Sequence, residues 1–139
     1  MDNIDLFFYG HEHPFSNFYP APIIYDGKQY STSEHLFQCM KFINYPEYYE
    51  LIRNADTPAK TAALARQKKP RYENSWYVNK SLYGNLYVAD VIDKGIKDGV
   101  KIREDWDIIK DDVMLVCLTL KFTQNPQLGE YLKSTRNYN

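Results

Sequence analysis

Ser31-Thr32-Ser33-Glu34-His35-Leu36-Phe37-Gln38-Cys39-Met40-Lys41-Phe42-Ile43 is where the chain changes period. Just before it, Ile23-Ile24-Tyr25, Asp26-Gly27 and Lys28-Gln29-Tyr30 read as a β-hairpin, because Asp-Gly suits a two-residue turn with positive φ. From Ser31 the apolar residues recur at helical spacing. Ser31 and Glu34 fit a capping box, with Ser31 as N-cap and Glu34 at the third helical position. With Glu34 at 0° and a step of about 100°, Gln38 falls near about 40° and Lys41 near about 340°. Leu36, Cys39, Met40 and Ile43 occupy the opposite sector, and Phe37 and Phe42 flank the polar stripe. A plain solvent face is rarely edged by two phenylalanines. The stripe therefore suggests an acid, an amide and an amine facing a cleft with aromatic walls. The blander reading assigns Glu34 to the cap and Lys41 to solvent, and both readings stand at this point.

Pro46 opens a second helix, and Thr57-Pro58 opens a third that runs to about Gln67 before Lys68-Lys69-Pro70 stops it. Residues 71–99 read as a loop followed by a helix near 86–94. A long helix is expected from about Arg103 to Thr123, with Trp106, Ile109, Val113, Val116, Leu120 and Thr123 as its buried stripe. Asn125-Pro126 starts a last short helix with Leu128 and Leu132. At the other end, Ile4-Asp5-Leu6-Phe7-Phe8-Tyr9 is a β-type run stopped by Gly10. In the polar loop from His11 to Pro20, Phe15, Phe18 and Tyr19 are too apolar for an idle solvent segment. The expected fold is one α+β domain over 1–139, predominantly helical, with a small N-terminal antiparallel sheet.

Composition narrows the function. Lys+Arg 17 against Asp+Glu 18 leaves a net charge of -1, so there is no footprint for duplex nucleic acid or an anionic membrane. A mean hydropathy of -0.58 and the lack of a long apolar run argue against a transmembrane helix. The opening, with Asp2 and Asp5, does not read as a secretory leader. Cys39 and Cys117 lie in apolar periodic segments and read as reduced core residues of an intracellular, cytoplasmic protein. His11, His13 and His35 complete no metal-ligand spacing, so neither a metal nor another cofactor is expected. The 13 tyrosines, 7 phenylalanines and 2 tryptophans can fill a core or stack on a flat ligand. Oligomeric state leaves no mark.

Phe8-Tyr9-Gly10, Pro14-Phe15-Ser16-Asn17-Phe18-Tyr19-Pro20, Asp26-Gly27 and Thr32-Ser33-Glu34-His35-x-Phe37-Gln38-x-x-Lys41-Phe42 resemble the NADAR (YbiA-like) domain family in order and spacing. Pro58-Ala59-Lys60 and Arg66 extend the likeness. Arg103-Glu104-Asp105-Trp106, Met114, Lys121-Phe122, Leu128, Leu132 and Thr135 continue it more loosely. The resemblance implies a compact, mainly helical domain that cleaves N-glycosidic bonds of ribose. Its small-molecule substrates would be ADP-ribose attached to a base such as guanine, or ribosylaminopyrimidine phosphates of riboflavin synthesis. It further implies Glu34 as catalytic carboxylate and Lys41 as catalytic amine, with Ser16, Asn17, Phe18, His35, Gln38, Arg66 and Trp106 contacting substrate. Two departures stand out: Ala65 replaces the family's glycine before Arg66, and the sequence stops at Asn139 before the family's Leu-x-Glu, Asp and Trp-Gly motifs. A non-catalytic ADP-ribose or nucleotide-binding module therefore stays open as the alternative. A purely structural helical domain is a third reading. Affinity without base release would mark the second, and no nucleotide-induced rise in melting temperature the third.

Overall fold

A computed structural model of the chain describes residues 16–67, 82–83 and 86–130. Strands β1 (Ile23–Tyr25) and β2 (Lys28–Tyr30) pair antiparallel, with Ile23 opposite Tyr30 and Tyr25 opposite Lys28. Asp26 and Gly27 turn the chain with φ of 51° and 79°, as a two-residue hairpin requires. Helix α1 (Ser33–Cys39) follows and tightens into a 3-10 turn, Met40–Phe42. Helices α2 (Pro46–Arg53) and α3 (Pro58–Arg66) each begin with the expected proline, where the missing N–H has no intrahelical partner to lose. Thr57 caps α3, its Oγ1 accepting from the Lys60 N–H at 3.2 Å. A short hairpin of β3 (Leu82–Tyr83) and β4 (Leu86–Tyr87) leads into α4 (Val88–Lys97), and α5 (Trp106–Gln124) ends in a helical turn over 126–130.

Helix α1 is the hub, packing against α2, α3 and α5. Its Leu36 and Cys39, with Phe42 from the 3-10 turn, enter a buried cluster shared with Ile52, Ala63, Leu64, Ile92 and Cys117. Both cysteines are free and buried, and burial pushes their thiols up, Cys117 to about 12. Neither is a thiolate nucleophile. Among the described residues no helix is long and apolar enough to cross a membrane.

Several expectations need correction. The N-cap is Thr32, not Ser31: Thr32 Oγ1 accepts from the His35 N–H at 3.2 Å. Glu34 therefore sits at the second helical position, and its carboxylate is bonded to Gln38 instead of the cap. Phe42 is no wall of a cleft. A 3-10 step of about 120° replaces about 100° from Met40 onward, which carries Phe42 roughly 60° into the apolar sector. There it packs on Tyr48 with ring centres 4.9 Å apart. The same rotation keeps Lys41 on the side of Glu34 and leaves Ile43 exposed. On α5, Val116 and Thr123 are exposed, because they lie about 80–100° from the line through Trp106, Val113 and Cys117 that faces α1. The β3–β4 hairpin was not foreseen, and the helix after it starts at Val88, since strand pairing claims the two preceding residues. The β-run at 4–9, His11 and His13, Phe15, the loop through residue 81, Leu132 and Thr135 lie outside the described residues.

Candidate active site

The start of α1 is held by the 16–20 segment. The Glu34 N–H donates to Asn17 O at 3.1 Å, and Ser33 Oγ donates to Asn17 Oδ1 at 2.8 Å. Asn17 Nδ2 in turn donates to Met114 Sδ on α5 at 3.3 Å. This lashing buries Glu34, whose Oε2 accepts from Gln38 Nε2 one turn along at 2.6 Å. Burial lifts the Glu34 carboxyl above the usual carboxylate range, while the Gln38 bond and the charges of Lys41 and Arg66 draw it back.

Lys41 lies on the same side. Its Nζ stands 5.7 Å from the centre of the Phe37 ring and 5.6 Å from that of Trp106, and these two rings meet edge to face at 5.1 Å. The ring faces attract an ammonium, but they also displace the water that solvates it. Desolvation dominates and lowers the Lys41 pKa; Glu34 raises it and Arg66 lowers it further. Among the described residues no direct hydrogen bond or ion pair joins Lys41 to Glu34. The pair is coupled through space, with one pKa moved up and the other down. Shifts of this sense bring the acid and the amine closer together in proton affinity.

The 3-10 turn is closed from a distance. The Arg103 N–H donates to Lys41 O at 3.0 Å, and Arg103 Nη1 donates to Met40 O at 3.4 Å. Its guanidinium also grips Asp105 with both teeth of the fork, Nε to Oδ1 at 2.6 Å and Nη2 to Oδ2 at 2.9 Å. The Trp106 N–H then returns to Arg103 O at 3.3 Å. Sequence reasoning assigned Arg103 no role. Its one signal was an arginine two residues before an aspartate that immediately precedes the aromatic.

Of the residues singled out from sequence, Glu34, Gln38, Lys41 and Trp106 come together, and the exposed Arg66 couples electrostatically to Glu34. Asn17 lies behind them, its polar atoms engaged by α1 and α5. His35 does not join the cluster. It is fully buried, with Nε2 donating to Ala55 O at 2.9 Å and Nδ1 paired with Thr32 Oγ1 at 2.8 Å. Burial lowers its pKa, which suits this neutral tautomer. Phe18 and His35 border a different hollow of about 450 Å³ with Pro20, Thr32, Asp56 and Pro58. Ser16 is buried, its Oγ accepting from the Phe18 N–H at 3.1 Å.

Lys121, part of the looser family likeness, carried no assigned role in the sequence. It is fully buried on α5, its Nζ donating to Ser16 O at 2.6 Å and lying 5.9 Å from the Tyr19 ring centre. Burial drives its pKa down to about 8. A lysine close to the buried line of a long helix was the available signal.

The NADAR domain family model matches residues 7–139, and the chain belongs to that family. N-glycosidase YbiA of Escherichia coli K12 is 31% identical over 122 residues, which cover 87% of this chain and 56% of that relative. N-glycosidase Npun_R5314 of Nostoc punctiforme is 26% identical over 123 residues, covering 87% and 60%. The NMR structure of E. coli YbiA matches with a TM-score of 0.57 at 30% identity, over 87% of this chain and 55% of that one. The chain thus spans little more than half the length of the curated relatives it matches.

Proposed function

We propose that this chain hydrolyses the C–N bond between ribose and a base in a nucleotide-like substrate, with Glu34 as acid and base and Lys41 as catalytic amine. ADP-ribosylated guanine and ribosylaminopyrimidine phosphates are the substrate classes. The observation that carries the reading is the pairing of a buried carboxyl of raised pKa with a ring-walled amine of lowered pKa on one side of α1. The names of the relatives support the same bond type.

Breaking a ribosyl C–N bond builds positive charge at C1′ and negative charge on the departing base. Glu34 in its protonated form delivers a proton to the base nitrogen, and as carboxylate it stabilises the charge at C1′. When the sugar opens, C1′ is doubly bonded to the base nitrogen. Neutral Lys41 adds to that carbon, the base leaves with a proton, and a lysine imine remains. Water then attacks the imine carbon, releasing the sugar aldehyde and restoring the amine. The Arg66 guanidinium, exposed but coupled to Glu34, is suited to a phosphate oxygen.

The direct test incubates the chain with ADP-ribosylated guanosine and, separately, with a ribosylaminopyrimidine phosphate, and follows free base by chromatography. Release by the wild type but not by Glu34→Gln is the expected result; no release from either substrate overturns the proposal. Borohydride added during turnover should fix a sugar fragment on Lys41. Turnover without such an adduct removes the imine step and leaves Lys41 an electrostatic part.

A further inference from the structure

Gln38 carries an unpaired polar atom where water is scarce. The residue is 8% exposed, and its Nε2 is spent on Glu34, but Oε1 is buried with no hydrogen-bond partner. Buried acceptors are almost always satisfied, so an orphan beside reactive groups calls for an explanation. While Glu34 is ionised the amide cannot resolve the problem by turning over, because Oε1 would then face the carboxylate, acceptor against acceptor. The bond at one end of the amide therefore holds the other end ready.

Geometry limits what can donate to that oxygen. The oxygen and nitrogen of an amide are roughly 2.2 Å apart by its bond lengths, so a donor on Oε1 also stands close to the Glu34 carboxylate. In a substrate on which Glu34 acts, a hydroxyl or N–H that meets Oε1 therefore lies close to the scissile bond. On the closed ring of a ribosyl N-glycoside, C1′ is attached to the ring oxygen, which cannot donate, to the base nitrogen, and to C2′ with its hydroxyl. The 2′-hydroxyl is the sugar donor at the right separation.

We infer that Gln38 is the specificity-determining acceptor for the hydroxyl beside the scissile bond, making the site selective for ribosyl over 2′-deoxyribosyl substrates. The inference rests on the N-glycosidase reading above and adds to it the residue that reads the sugar's 2′-hydroxyl. As C1′ gains positive charge, the neighbouring hydroxyl becomes a stronger donor, and its bond to Gln38 tightens in the transition state. The contribution therefore falls on kcat more than on KM.

The experiment compares ADP-ribosylated guanosine with its counterpart lacking the 2′-hydroxyl on the scissile ribose, in the wild type and in Gln38→Leu. Losing the Nε2 bond to Glu34 slows both substrates alike, whereas losing Oε1 slows only the ribosyl one. Comparing the two proteins also cancels the different intrinsic lability of the two sugars. The expected result is a ribosyl-to-deoxyribosyl kcat ratio about tenfold or more lower in Gln38→Leu. A ratio unchanged between the proteins overturns the assignment.

Calorimetry with free ADP-ribose and its analogue lacking that hydroxyl, on the wild type and on Gln38→Leu, needs no turnover. A binding gap between the two ligands that narrows in Gln38→Leu supports the role of Gln38, and a gap of the same size in both proteins refutes it. Discrimination in binding with no release of base from any substrate would leave Gln38 its role while sinking the glycosidase reading. Gln38→Met replaces Gln38→Leu should the latter fail to fold.

Discussion

The backbone N–H of Arg103 donates to the carbonyl of Lys41 at 3.0 Å. This bond joins the end of the 3-10 turn to the loop that launches α5, and Trp106 hangs from the same arginine through its own N–H. A helix end needs partners for its last carbonyls. Here the partner also carries the aromatic wall beside the amine, so the amine and its wall are set by one piece of backbone.

Arg103→Ala keeps the backbone bond but removes the guanidinium bond to Met40 O and the fork on Asp105. Because that ion pair is partly exposed, thermal melting should show a loss of only about 1 kcal/mol. Turnover should fall about tenfold or more, since small displacements of reacting groups are expensive in rate. An unchanged kcat would detach Arg103 from the site.

Glu34→Gln separates chemistry from capping. Thr32→Val removes the cap and also the partner of the buried His35 Nδ1, so it should cost about 2–4 kcal/mol, while Glu34→Gln keeps the helix intact. Turnover in Glu34→Gln should drop by about 10²–10⁴. The Glu34 pKa is raised in the folded chain. Its stabilising contribution is therefore complete below the ordinary carboxylate pKa and is lost as pH rises through the raised value. Melting curves taken upward from about pH 4 should show Glu34→Gln gaining on the wild type.

Lys121 supplies a pH dependence of the opposite sense. Its folded pKa is depressed to about 8 from an ordinary 10.5, so its contribution is fully present above 10.5 and is lost as pH falls through about 8. Relative to Lys121→Met, the wild type should gain stability between those limits, on the order of 3 kcal/mol. Parallel melting profiles across that window would show that the ammonium is better solvated than its burial implies. Ser16 O still accepts from the Tyr19 N–H at 3.1 Å, so the Met variant does not orphan that carbonyl.

Gly95→Ala sets two effects against each other. Alanine in a helix interior is worth about 1 kcal/mol over glycine. A Cβ at residue 95, however, would meet Tyr48 Cε1 at 2.6 Å. The Tyr48 ring has little room to retreat, being buried with its hydroxyl donating to Leu64 O at 2.6 Å. Overpacking should win, with a net loss of about 1–2 kcal/mol by denaturant titration. A stabilised variant would show that α4 can slide on α2.

What could be read along the chain was local. Asp26-Gly27 specifies its turn through backbone sterics, Pro46 and Pro58 specify helix starts, and the spacing of Glu34, Gln38 and Lys41 sets them along one side of α1. The misreadings were local ambiguities settled from afar. Ser31 and Thr32 carry the same hydroxyl, and the choice fell to Thr32 where Asn17 ties down Ser33 and Glu34. Phe37 and Phe42 look alike on an ideal wheel, but Phe37 stays on the regular helix beside Trp106 while the 3-10 turn carries Phe42 into the core.

Which side chains share a side of a helix follows from residue spacing so long as the helix keeps one period. Whether those side chains are charged, walled or left with a spare oxygen does not. Protonation depends on how much water is excluded, and that water is excluded by groups distant in sequence: Asn17 over the start of α1, Trp106 beside the amine, Arg103 at the turn. Only packing against α5 converts a polar stripe into a place where an acid and an amine have shifted pKa values.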